Sequence, residues 1–515
     1  MNNHNLQTTI SIPEAFSTSG MPLTKSYVVW TMIILAIVHF AFNFLYLPHL
    51  KWFYLFEVLC ITYYIIRLPF QHSILPLMYL FFIEGQGRIV WDYNPFFRIV
   101  FDLVCLLAVL KSLALHKKLI PKKLPVYFEV AIYLHITWFF IEIFNINSLG
   151  VFPVLAKSKI YVFPLLLFSL LLFNPLDAYS QEIKRLQIFV VGMIFLETLL
   201  SWYQMFAKEK GLEQISNYYL VAMKTDVFIG SLFRPFATTM VPGLISSYLF
   251  LTVGLLFLPS WQGTLRKIAT IAVVLLSGFT LFISQVRSAM IKYILILLLS
   301  AIGFSILGKM KTKMLIPNLM IGVAFYFLLV FSNLGQNVIK DIDLTESVKR
   351  VAIVSEGIEV TKHRIGLDSF LSQMTTKLLD APLGLGPGRT GAANSLNTDL
   401  IMQDPIYSKN ASWAFDNLFL ALAIDFGIGM IFYTFLIIGL PLYLLARSIM
   451  LIIRKDKLRG QIVFTCAMIG IVIVSGNWGA NTLPYNPDSF MFWFWMAMGI
   501  NHSFDAQPMQ ETIHA

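Results

Sequence analysis

Apolar runs of about twenty residues, parted by short polar loops, recur along nearly the whole chain. A run of that length crosses the ~30 Å hydrocarbon core of a bilayer as an α-helix, which satisfies its own backbone hydrogen bonds. The pattern predicts helices at about 27–46, 52–66, 72–84, 98–115, 126–145, 160–173, 186–206, 236–258, 268–284, 289–307, 313–332, 415–446, 460–476 and 489–501. The third run is short and reads as re-entrant, so twelve to fourteen helices are expected. One long polar stretch, Ser332 to Trp413, interrupts the series. Within it, apolar residues recur at helical spacing from Ile365 to Leu379 and predict an amphipathic loop helix, closed by a turn at Gly384, Gly386 and Gly388. The organisation expected is a tail at 1–25, transmembrane helices with short loops over 26–332, a large loop at 333–413, C-terminal transmembrane helices over 414–501 and a tail at 502–515.

Composition fixes the class. Of the 515 residues 57% are hydrophobic and 13% charged, with mean hydropathy +0.73. A soluble domain carries about 25% charged residues, so the chain reads as a polytopic, all-α integral membrane protein. Cys60, Cys105 and Cys466 all fall in apolar runs and read as small core residues, with no disulfide framework and no thiolate metal site implied. The N-terminal two dozen residues are polar, contain Pro13 and lack a basic leader. The first span has Lys25 in front and no small-residue cleavage site behind, as expected of an uncleaved signal anchor.

Charge adds a direction. Lys117, Lys118, Lys122 and Lys123; Lys184 and Arg185; Arg266 and Lys267; Lys309, Lys311 and Lys313; and Arg454, Lys455, Lys457 and Arg459 all fall on one side of this topology. By the positive-inside rule that side is cytoplasmic, together with both termini. The long loop, the 85–97 and 207–235 segments and the turn around Arg287 then face outward. This topology accounts for most of the net charge of +10, and no nucleic-acid partner is implied.

Candidate chemistry lies on the outward side. Arg287 sits in FISQVRSAMIKY, a tight turn between two apolar helices, and Arg234 in SLFRPFATTMVPG, with Pro235 fixing the chain behind it. Lys362, His363 and Arg364 form a basic cluster about twenty residues before the glycine turn. Guanidinium groups at the mouth of a bundle suit the diphosphate of a lipid-carried substrate, each bidentate contact contributing about 1.5–3 kcal/mol. Plainer readings stand beside these: Arg287 snorkelling to headgroups, Arg364 and His363 solvated on a loop, and Asp416, where a helix begins, serving as an N-cap. The glycine run is neither a P-loop, since no Gly-Lys-Ser/Thr follows, nor a dinucleotide fingerprint. Glu142, Glu197 and Asp425 lie within expected spans, as functional groups or as structural ion pairs.

From Arg234 to Gly429 the chain resembles bacterial O-antigen ligases and O-antigen or exopolysaccharide polymerases. The resemblance rests on RPFATTMVPG before one helix, SQVRSAM between two helices, SVKR and then HRIGLDSFLSQMTTKLLDAPLGLGPG in a large loop, and DNLFLALAIDFGIG at the next helix. Upstream, FNINSLGVFPVLAKSKIYVFPLLL is similar to a segment of polymerase-like members. The resemblance implies a helical bundle of the membrane glycosyltransferase type in the bacterial inner membrane, with a large periplasmic loop and an active site facing the periplasm. It further implies metal-independent, cofactor-free, inverting transfer from undecaprenyl-diphosphate-linked oligosaccharide, with a chain-length regulator as a candidate partner. Arg287 and Arg364 would bind the diphosphate, with Arg234 as a third.

The family's ligase histidine is replaced by Asp416, which shifts weight from ligation onto lipid A core toward polymerisation of repeat units. Asp416, or else His363, would take the acceptor hydroxyl's proton, a step typically worth about 10²–10⁴-fold. Leaving-group stabilisation by the arginines and orientation of two membrane-held substrates would supply the rest. A flippase or other transporter is the rival from another class, weakened at sequence level by the lack of an internal repeat or of paired broken helices. A scaffold subunit of an assembly machine is the other, and would need no arginine cluster.

Overall fold

The computed structural model describes residues 25–45, 49–91, 94, 97, 99–116, 124–148, 151–178, 180–207, 228–229, 232–239, 245–258, 261, 263–284, 289, 292–299, 374–376, 378–387, 417–477, 483 and 488–504. These form a helical bundle: α1 (Lys25–Phe44), α2 (Leu50–Arg67), α3 (Phe70–Val90), α4 (Val100–His116), α5 (Val126–Ile141) with a 3₁₀ turn at Glu142–Phe144, α6 (Val151–Tyr161), α7 (Phe163–Phe173), α8 (Gln181–Ala207), α9 (Ile245–Leu256), α10 (Thr264–Ile283), α11 (Leu418–Phe426) with a 3₁₀ turn at Gly427–Gly429, α12 (Met430–Ile453), α13 (Lys457–Gly476) and α14 (Asp488–Ser503). A minimal antiparallel hairpin, β1 (Phe228–Ile229) with β2 (Leu232–Phe233), precedes Arg234.

Five helical stretches among the described residues are long and apolar enough to cross a membrane: Tyr27–Phe44, Val126–Phe144, Gln181–Gln204, Leu418–Ile453 and Lys457–Gly476. Their outward faces are themselves apolar. On α1 the exposed positions are Tyr27, Trp30, Ile34 and Ile37, a single helical stripe, and on α12 they include Ile431, Phe435, Ile438, Leu442, Ile449 and Ile453. Large exposed apolar stripes on these helices would be costly in water and are what lipid-facing helices present, so the chain is a membrane protein. At the centre, α14 is buried nearly all round: Trp493 and Trp495 are fully enclosed, and Phe490 packs 4.9 Å from Phe81 and 5.5 Å from Phe101 between ring centres.

Hydrogen bonds between segments distant in sequence sort into two ends. At one, Gln187 Nε2 donates to Leu255 O (2.8 Å), Gln461 Nε2 to Phe257 O (2.8 Å), Arg447 Nη2 to Ser503 O (2.6 Å) and Lys111 Nζ to Leu68 O (2.6 Å). Helix directions bring Lys184, Arg185, Arg266, Lys267, Arg454, Lys455, Lys457 and Arg459 to this basic end. At the other, Arg234, Ser284, Asn145, Gly384 and Asn477 make the contacts, and that loop end holds the candidate site.

Four elements differ from the hydrophobic pattern. The third helix is a full-length α3 of 21 residues, about 31 Å long, rather than a short re-entrant piece. Its last turns carry Glu84 and Arg88, polar in sequence but buried and paired with each other. The expected helix at 160–173 starts earlier and breaks at Val162, because Pro164 has no N–H for the Ile160 carbonyl. The expected start of a helix at residue 236 is instead a buried turn at Phe236–Thr239, and α9 begins at Ile245. The span expected at 415–446 is interrupted at Gly427–Gly429. Residues 374–376 and 378–380 of the expected loop helix are helical, and its remainder lies outside the described residues.

Candidate functional site

Two irregular stretches of backbone meet the bundle at its loop end, the first buried throughout and the second buried at its glycines. The first is the turn of RPFATT. Phe236, Ala237, Thr238 and Thr239 are all buried, and Ala237 holds a left-handed φ of +53°, strain of about 1–2 kcal/mol that neighbours must offset. The neighbours are two side chains of α8, two turns apart on one face. Gln204 Oε1 accepts from the N–H groups of Phe236 (3.2 Å) and Ala237 (2.8 Å), while its Nε2 donates to Ala237 O (3.0 Å). Glu197 meets Thr238 with both oxygens: Oε2 accepts from the backbone N–H (3.1 Å) and Oε1 lies 2.5 Å from the hydroxyl. That hydroxyl also donates to Phe82 O (2.6 Å), where Tyr248 donates as well (2.8 Å). The turn is thus pinned to α3, α8 and α9 simultaneously.

Arg234 is half-buried at the start of this turn, and its Nε donates to Ser284 O (2.8 Å), at the end of α10. A hydrogen bond through Nε fixes the plane of a guanidinium. Three residues beyond Ser284 in the sequence is Arg287. Arg287, Arg364, His363 and Asp416 lie outside the described residues. Asn417 does not: it is the N-cap of α11, its side chain accepting from Leu420 N (3.1 Å). The capping role considered for Asp416 therefore belongs to its neighbour.

The second stretch is a crossing of two glycine turns. Leu385 N donates to Ile424 O (2.7 Å) and Ile428 N to Pro382 O (2.8 Å), so the loop segment at 382–385 lies backbone to backbone on the break between α11 and α12. Gly384 (φ +85°) and Gly427 (φ +54°) face each other there. A Cβ on Gly384 would fall 2.6 Å from Asp425 O and Gly427 N, and one on Gly427 would fall 2.2 Å from Pro382 O. Both the φ values and the clearance demand glycine. The end of α5 locks the crossing: Trp138 Nε1 donates to Phe426 O (3.1 Å), and Asn145 Nδ2 donates to Gly384 O (3.1 Å) and to Glu142 Oε2 (2.6 Å). Three motifs read separately in the sequence, FNINSLG, LLDAPLGLGPG and AIDFGIG, thereby form one structural unit.

Beneath the crossing, Asp425 is fully buried and its Oδ2 accepts from the Tyr161 hydroxyl (3.3 Å). Tyr161 is the last residue of α6, so the breaks of two helices adjoin. His135 packs there against the rings of Phe426 and Tyr433, 5.4 and 4.9 Å between centres. Among the described residues elsewhere in the interior, Arg88 pairs with Glu84, Lys159 with Asp102 (2.9 Å) and Lys292 with Asp488 (3.5 Å), while His39 Nδ1 lies 2.9 Å from Glu57, whose other oxygen accepts from Tyr79. Breaking such a pair typically costs about 3–5 kcal/mol, so these charges have a structural use.

Gln204, Trp138, Tyr161 and His135 escape a reading of the sequence, because single polar or aromatic residues inside apolar runs look like ordinary helix content. Thr238 and Asn145 stand within quoted motifs, but only the fold gives them partners. No His/Cys/Asp/Glu cluster that could hold a metal ion occurs among the described residues. No protein-family model, curated protein or solved structure matches the chain.

Proposed function

We propose that this protein is a membrane glycosyltransferase that polymerises lipid-linked oligosaccharide repeat units, passing glycan from undecaprenyl diphosphate to a sugar hydroxyl. The observation that carries the reading is the contact of Arg234 with Ser284. Arg287 follows Ser284 by three residues in the sequence, a length of chain that spans at most about 11 Å, which supports a shared role for the two arginines. Two guanidinium groups would suit a diphosphate and would stabilise the negative charge that develops on the leaving group. The docked glycine turn ties the 333–413 loop, which carries His363 and Arg364, to α11, whose N-cap follows Asp416 directly. In this reading Arg234, Arg287 and Arg364 bind the diphosphate, Asp416 or His363 accepts the proton, and the site faces the periplasm from the bacterial inner membrane. Transfer of finished polymer to lipid A core or to protein uses the same groups and differs in its acceptor.

A transporter is the second reading, favoured by the adjoining breaks at Val162 and Gly427–Gly429, since broken helices with buried ionisable groups line many transport sites. One experiment separates them. The full chain in liposomes is given an undecaprenyl-diphosphate-linked repeat unit, and both glycan length and sidedness are followed. Lengthening that falls about tenfold or more in Arg234→Ala, Arg287→Ala and Arg364→Ala supports the polymerase. Movement across the bilayer without lengthening overturns it.

A further inference from the structure

Around Thr238 the protons do not balance if Glu197 is a carboxylate. A threonine hydroxyl has one hydrogen to give. Besides the Tyr248 hydroxyl, it has two oxygens close by, Phe82 O at 2.6 Å and Glu197 Oε1 at 2.5 Å, neither of which carries a hydrogen when the carboxyl is ionised. One of the two contacts would then be oxygen against oxygen with nothing between, inside a site where all three residues are closed to solvent. A proton on Glu197 Oε1 resolves it. The carboxyl donates to Thr238 Oγ1, the hydroxyl donates onward to Phe82 O, and Oε2 accepts from Thr238 N–H at 3.1 Å. Every polar atom of the latch is then satisfied, as buried polar groups require.

Thr238 lies four residues beyond Arg234, on the turn that this latch and Gln204 hold against the bundle. We propose that Glu197, as a neutral carboxyl, is a positioning residue: through Thr238 it holds the turn that aims Arg234 at an anionic diphosphate. The proposal rests on the reading of Arg234 as a diphosphate ligand. It deepens that reading by assigning an intramembrane acid to geometry rather than to proton transfer or charge pairing. It also sets Glu197 apart from Glu84, Asp102 and Asp488, each of which faces a cation.

Glutamine mimics a protonated glutamate here, its Nε2 donating to Thr238 Oγ1 and its Oε1 accepting from Thr238 N–H. The test titrates undecaprenyl diphosphate into the purified full chain and follows tryptophan fluorescence. Glu197→Gln is expected to bind within about twofold of the unsubstituted protein, whereas Glu197→Ala and Thr238→Val weaken binding about tenfold. Arg234→Ala weakens it about tenfold, and the double variant Glu197→Ala/Arg234→Ala is no weaker than Arg234→Ala alone, since both act through one guanidinium. An infrared band of a protonated carboxyl, present in the unsubstituted protein and lost in Glu197→Gln, reads the proton directly and needs no ligand. If Arg234→Ala binds normally, the diphosphate reading fails and the positioning role with it. If Arg234→Ala is weak while Glu197→Ala and Thr238→Val bind normally, or if the double variant is additive, positioning alone is overturned. Loss of binding in Glu197→Gln, or absence of the band, overturns the neutral carboxyl. Should Glu197→Ala fail to fold, Thr238→Val and the infrared band still decide.

Discussion

The glycine crossing and the Arg234 turn face the same difficulty and answer it differently. Each packs non-helical backbone against a helical bundle, where buried N–H and C=O groups need partners other than those of a helix. At the crossing, main chain meets main chain: Leu385 with Ile424 and Ile428 with Pro382, at a spacing that leaves no room for side chains at Gly384 or Gly427. At the turn, main chain meets the face of α8, and Gln204 and Glu197 supply the missing partners. Chemistry therefore differs from sterics as the source of failure. The crossing should tolerate loss of surrounding polar groups better than any added carbon, and the turn should tolerate an isostere better than a deletion.

The largest effect that follows is at Gly427. Gly427→Val forces a branched side chain into positive φ and onto Pro382 O, and is expected to cost more than about 4 kcal/mol. Detergent-extracted protein should then elute as aggregate on size exclusion, and a sharp monomeric peak with unchanged Tm would break the account of the crossing. Next is Arg234→Ala, which should keep the fold and lower glycan lengthening about tenfold, equivalent to one charge-assisted contact. Initial rates against donor concentration measure it, and unchanged rates would leave the turn without a chemical purpose. Gln204→Ala strips partners from two N–H groups and one carbonyl of the turn, a loss of about 1–3 kcal/mol seen as a lower Tm. Smallest is Trp138→Phe, which removes one hydrogen bond to Phe426 O and should cost about 0.5–1.5 kcal/mol. A larger drop in Tm for Trp138→Phe than for Gln204→Ala would reverse the contrast between the two regions.

Much of the fold was legible because hydrophobic runs are a direct imprint of lipid. The cores of α1, α2, α4, α5, α8, α10, α13 and α14 fall where apolar residues run together, and the basic clusters among the described residues end up at one end of the bundle. The pattern misleads where the imprint is ambiguous. Arg88 reads as loop because a charge buried inside a helix is invisible without its partner, here Glu84. Phe236 and Ala237 looked like a helix start because a turn wrapped in side chains from α8 is apolar too. The helix breaks leave no mark on the hydrophobic pattern: Pro164 falls inside one apolar run and Gly427 inside another.

By itself the sequence determined that this is a helical membrane protein, which residue types stand near each helix end, and where glycine has replaced every side chain. Those are local properties, written by the burial preference and backbone freedom of each residue in turn. Only the tertiary structure decided that Arg234 reaches the end of α10, that Glu197 and Gln204 serve a turn 41 and 33 residues away, and that the glycines of a loop rest on a broken helix. A hydrogen bond between distant segments depends on where two helices pack, and packing is set by the whole set of side chains in the core rather than by any stretch that can be read alone.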